Sequence, residues 1–185
     1  MINARFGVPI FLLLAAMAVG QQHQRDPLSD LEIDKLRDAA QLPDVRLKLY
    51  VEFARARLDK LQQVRADTKS ADREQQTRDA LQAFADVYDE LDTNVDTFAD
   101  RRDDLRQALK PVIEADTEFG AKLRAFKASL ASAPKEAESY AFLLGSALDT
   151  VDAGAKDHRD LLAEQEEAFR HKKKQGHKDD SKPPE

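Results

Sequence analysis

Two interleaved lines of apolar positions dominate the chain between residues 71 and 131. One steps by seven through Phe84, Leu91, Phe98, Leu105, Val112, Phe119 and Phe126. The other passes through Leu81, Tyr88, Val95, Arg102, Leu109, Asp116, Leu123 and Leu130. The alternating spacing of three and four is that of a coiled-coil seam and predicts one very long helix over 70–131. Pro111 falls inside this register, and Leu109-Lys110-Pro111-Val112 supplies no loop residues, so a kink is expected there in an otherwise continuous helix. At 1.5 Å per residue that helix would be about 90 Å long.

Flanking patterns predict shorter helices. Ser29 followed by Glu32 reads as a capping box, with Leu28 and Ile33 as the hydrophobic staple around it, and opens a helix over 29–41 that Pro43 ends. Asp44 can cap a helix over 44–67 whose apolar line is Leu47, Val51, Ala54, Leu58 and Leu61. Val45, Leu49 and Phe53 add a second apolar face to its first half, which predicts burial from more than one side there. The short break at 67–70 makes this helix and the next antiparallel neighbours, pairing Leu58 with Ala80, Ala54 with Phe84 and Leu47 with Leu91. After a second break near 129–134, a helix over 134–170 carries Leu144, Leu148, Val151, Ala155, Leu162 and Phe169 on its seam, with Gly145 and Gly154 as close-packing positions. The fold class that follows is all-α: an elongated antiparallel bundle of coiled-coil hairpins around one long, Pro-kinked central helix.

The ends have a different character. Met1-Ile-Asn-Ala-Arg5 precedes an apolar run over 6–19, and Ala18-Val19-Gly20 offers small residues at the cleavage subsites, so 1–20 reads as a secretory signal peptide. The run is shorter than the roughly 20 residues of a membrane span, and Pro9 interrupts it, which favours cleavage over a stable anchor. Residues 171–185 are charged, contain Pro183-Pro184 and lack apolar side chains, so a disordered tail is expected behind a bundle over 21–170.

Composition narrows the chemistry. The absence of cysteine rules out disulfides, thiolate metal sites and thiol lipidation. The formal charge of −6 becomes one unit more negative on loss of 1–20, which argues against nucleic acid as partner. With 35% charged and 6% aromatic residues the chain suits slender helix packing better than a thick core.

Among polar features, Asp92, Asp96, Asp100 and Asp104 recur at i,i+4 on one helix face. Neighbouring like charges destabilise a helix by about 0.2–0.5 kcal/mol per pair, so the row calls for compensation. Three sources fit: a divalent cation, a basic partner, or local neutralisation by Arg101, Arg102 and Arg106 or by Lys172, Lys173 and Lys174. Arg102, Asp116 and His158 interrupt the seams, and counting the last hairpin outward places His158 near 102–106, in a polar layer with Asp103 or Asp157 that fixes register or senses pH. His171 and His177 make a poor metal site without a fold behind them. No metalloprotease, nucleophile-elbow or phosphate-loop motif is present, no di-iron Glu-x-x-His pairs occur, and no cofactor is implied.

The functional expectation is an exported, non-enzymatic helical scaffold or protein-interaction module, in the periplasm or outside the cell, working through a protein partner or self-association. The alternatives are a periplasmic chaperone or stress-type binder with an apolar concavity at the Pro111 kink, and a bundle binding a small ligand or divalent metal.

Overall fold

The computed structural model describes residues 27–179, with side chains described through residue 171; the signal peptide expected over 1–20 lies outside the described residues. The fold is all-α, and its elements are α1 (Asp30–Asp38), α2 (Pro43–Ala66), α3 (Arg73–Asp100), α4 (Leu109–Ser129) and α5 (Pro134–Asp179), with one 3-10 turn over Leu130–Ser132 before α5.

Local chemistry explains most boundaries. Ser29 and Glu32 close the capping box at the start of α1. Pro43 and Pro134 occupy first helical positions, where the missing N–H has no intrahelical partner to lose. Arg57 on α2 pins the α1 entry by pairing with Glu32 at 2.6 Å and donating to Pro27 O at 2.9 Å. Arg46 on α2 ties three helices, donating to Leu36 O in α1 and to Asn94 Oδ1 on α3.

The long central helix is not continuous. It ends at Asp100, and residues 101–108 carry the chain to α4. Arg102 adopts φ 62°, Arg102 N–H donates to Ala99 O at 2.8 Å, and Asp103 N–H donates to Phe98 O at 3.0 Å. This is a Schellman termination with arginine in the left-handed position that glycine usually fills. Pro111 then falls in the first turn of α4, where it disrupts nothing, so no kink is needed.

The break changes the topology. α2 and α3 run antiparallel and pack together, as do α4 and α5, while α3 lies beside α5 and α4 beside α2 in parallel. Arg55–Glu118 and Lys122–Asp59, both at 2.9 Å, mark the α2–α4 register, and Arg78 donating to Ser139 O marks that of α3 and α5. α3 and α4 share no close backbone approach: they face each other diagonally, and large side chains fill the gap. Phe84 and Phe119 meet edge to face with centroids 5.5 Å apart, a favourable aromatic geometry. Every apolar member of the two heptad lines from Leu81 to Leu130 is buried, so both helices contribute their seam to one core. Glu136, shared by Arg65 and Arg73, fastens the opposite end of the bundle.

Several finer expectations are corrected. α5 extends to Asp179, nine residues past the expected end at 170 and through most of the tail expected to be disordered. Phe169 stays 48% exposed, as does Val45 at 47%, so neither the end of the α5 seam nor the second α2 face is fully covered. Gly154 is a close-packing position and Gly145 is not, since a Cβ there would have nothing within 4 Å. Among the described residues no helix is long and apolar enough to cross a membrane.

Candidate functional site

At mid-height of the bundle, four polar side chains from three helices meet. Tyr88 on α3 donates from Oη to Asp116 Oδ1 on α4 at 2.7 Å. His158 Nδ1 on α5 lies 2.9 Å from Asp116 Oδ2. A carboxylate can only accept, so Nδ1 carries a proton and donates. The other ring nitrogen, Nε2, lies 3.3 Å from Asp92 Oδ1 on α3, a charge contact outside hydrogen-bond geometry.

Tyr88, Asp116 and His158 are buried, at 1% exposure or less, while the Asp92 side chain is partly open to solvent. Gly154 permits the close approach of α5: a Cβ there would stand 2.6 Å from Tyr88 Oη and 3.3 Å from Asp92 Oδ1. Burial pulls the His158 pKa down, but the hydrogen bond with Asp116, the contact with Asp92 and their two charges outweigh it and hold the pKa up at about 9. His158 is therefore an imidazolium between two carboxylates at neutral pH. Burial, and then the Asp116 charge, push Tyr88 well above the ordinary phenol range, so it remains a donor.

Of the three seam interruptions, the structure brings Asp116 and His158 together and leaves Arg102 out. Arg102 is exposed in the 101–108 connection, and the residue of α5 beside that connection is Gln165, not His158. Gln165 accepts from Leu105 N–H at 2.8 Å and donates to Asp103 O at 3.1 Å, stitching the connection to α5. Asp103 and Asp157 take no part in the polar cluster; Asp103 pairs with Arg101 instead. The hairpin count misplaced His158 along α4, where it faces Asp116 and not 102–106, and it reaches Asp92 because the break after α3 lays α5 beside α3 in parallel, which a continuous central helix would not allow. Tyr88 and Asp92 are the members not anticipated: Tyr88 reads as an ordinary seam residue, and Asp92 as one acid in a row.

The acidic row divides in two. Asp104 pairs with Arg106 at 2.6 Å, and that hydrogen bond holds its carboxyl down at about 2. Arg106 also stacks on Phe169, 3.6 Å above the ring centre. Asp96 and Asp100, with Asp89 one turn before Asp92, have no ion pair among the described residues. Partial burial and then the charges of Asp92 and Asp100 push Asp96 up, with His158 opposing; burial, Asp86, Asp92 and Glu90 push Asp89 up. Neutralisation by Arg101 and Arg106 thus reaches Asp103 and Asp104 but not the row above them. With His158 beside Asp92 and Gln165 beside Asp103, the parallel register carries the backbone of 172–174 past the connection, away from the row.

Among the described residues no three metal-ligating side chains already surround one point. Compared with known proteins, the chain matches no family model, no curated protein and no solved structure.

Proposed function

We propose that this chain is an exported, non-enzymatic helical interaction module whose α3 face docks a basic protein partner. The observation that carries the reading is the set Asp89, Asp96 and Asp100, exposed carboxylates with no ion pair among the described residues and, for Asp89 and Asp96, pKa values raised by partial burial and then by the charges of neighbouring acids, Asp92 among them. Such a row is held together at a cost, and a cationic surface would relieve it. The rigid polar cluster behind it keeps α3 in register with α4 and α5, so the row is presented on a fixed scaffold. Export is supported by the charged start, apolar run and small-residue cleavage pattern of residues 1–20. The chaperone reading has no concavity at Pro111 to draw on, because Pro111 lies in the first turn of α4 and bends nothing.

The test is binding of a Lys/Arg-rich helical peptide, followed by fluorescence anisotropy at about 50 and 500 mM salt, where screening lengths differ severalfold. The triple variant D89N/D96N/D100N should bind at least tenfold more weakly at low salt and retain its melting temperature. Equal binding by the variant would sink the docking reading. Sequencing the N-terminus of the exported chain tests the other half; a start near Gln21 is expected.

A further inference from the structure

His158 is deeply buried, yet only one of its nitrogens is satisfied by a hydrogen bond. Nδ1 is committed to Asp116, whose second oxygen is committed to Tyr88. Nε2 faces the top of the acidic row, 3.3 Å from Asp92 Oδ1 and out of line for hydrogen bonding. That separation has a second meaning. Two ligand atoms bound at about 2.0–2.1 Å to one tetrahedral zinc ion stand about 3.3 Å apart. A histidine that ligates metal through one nitrogen characteristically donates from the other to a carboxylate, which fixes the tautomer and aims the ring. Asp116 already supplies that partner, and Gly154 leaves α5 close enough for it to work.

We propose that His158 Nε2 and Asp92 form the fixed half of a site for a divalent transition ion of the zinc class, with Asp96, one turn further along α3, and water completing the coordination. Asp100 is a further turn from the histidine, and Asp104 is engaged by Arg106, so neither belongs to the site. The ion takes the place of the Nε2 proton; Nδ1–H stays on Asp116. The site does not rest on the docking reading, and either stands if the other falls.

The experiment is calorimetric titration of the purified chain with Zn2+, in a background where His23, His171 and His177 are changed to Gln so that the terminal histidines cannot contribute. Imidazole nitrogen NMR of the one remaining histidine is recorded in parallel. The expected result is one equivalent bound, a large shift of Nε2 with Nδ1 remaining protonated, and a rise in melting temperature, since a ligand of the native state stabilises it. D92N, at a partly exposed position that leaves the core intact, should weaken binding at least tenfold, and D116N by about 10–100-fold. No heat and no NMR shift at millimolar Zn2+, or binding that D92N leaves unchanged, would overturn the proposal.

Discussion

Asp116 on α4 and His158 on α5 hold each other at 2.9 Å, both almost fully removed from water, and Tyr88 reaches the same carboxylate from the diagonal helix α3. Three helices thus share one buried charge. Pairs of this kind contribute little over well-packed apolar residues, but they are costly to break from one side.

Asp116→Asn and His158→Gln are each expected to lower unfolding free energy by about 3–5 kcal/mol, because either change leaves a buried charge without its counterpart. Tyr88→Phe removes one donor and should cost about 1–3 kcal/mol. The double variant D116L/H158F should recover most of the loss, as apolar replacement of a whole buried pair often does. Urea titrations of the four proteins provide the check; single variants within about 1 kcal/mol of the parent would show that water reaches the pair.

Stability should fall in alkali. The folded chain holds the His158 proton with a pKa of about 9, against an ordinary 6.5, so the contribution is complete below about 6.5 and is lost as pH rises through about 9. At 1.36 kcal/mol per unit this amounts to about 3 kcal/mol. The groups facing the ring are Tyr88, Asp92 and Asp96 from α3 and Asp116 from α4, with Asp157 beside it on α5. Thermal melts in chelator between pH 6 and 10 should show the decline, and His158→Gln should abolish it. A flat profile for the parent would contradict the assignment.

Gly154→Ala should destabilise despite the better helix former. Alanine gains about 1 kcal/mol in helix propensity. Its Cβ, however, would sit 2.6 Å from Tyr88 Oη, and this rigid ring is buried and hydrogen-bonded. Overpacking of that kind costs about 1–3 kcal/mol, so a net loss of about 1 kcal/mol is expected. Gly145→Ala, in open space, should instead stabilise, which makes the pair an internal control for differential melting.

Arg102→Gly should stabilise by about 0.5 kcal/mol, the balance of relieving a left-handed residue and loosening the unfolded chain. Gln165→Ala should cost about 1–2 kcal/mol by orphaning the buried Leu105 N–H. Hydrogen exchange at Leu105 reports directly on the second change and should accelerate while core amides of α3 do not.

Much of this architecture was legible. The capping box, Pro134 at the start of α5 and the 67–70 break carry local chemistry, and the structure uses each of them, whereas Asp44, expected as a cap, lies inside α2, which Pro43 opens with Leu42 as N-cap. The heptad lines named the core correctly from Phe84 to Phe126. They failed at 101–108 because Leu105 and Leu109 are buried in the connection and in the first residue of α4, so the apolar rhythm continues while the backbone does not. The available signal was Arg102 itself, a charge on the seam amid the polar run Asp100-Arg101-Arg102-Asp103-Asp104. Asp116 and His158 stood out as seam interruptions, yet their partners could not be read, because Tyr88 reaches Asp116 across the bundle diagonal and Asp92 reaches His158 through the parallel α3–α5 register, neither of which one-dimensional spacing encodes.

The diagonal connection also splits the bundle into two locally paired halves. α2 with α3, and α4 with α5, are antiparallel pairs joined by short turns, so each can assemble from contacts close in sequence before long loops must close. The Asp116–His158 contact belongs wholly to the second pair, whereas Tyr88 and Asp92 arrive with the first. A slip of one helical turn as the pairs dock would leave the carboxylate without its phenol and the ring without its second acid. The polar cluster therefore makes a misaligned docking of the two pairs costly, since each slip strands a buried polar group.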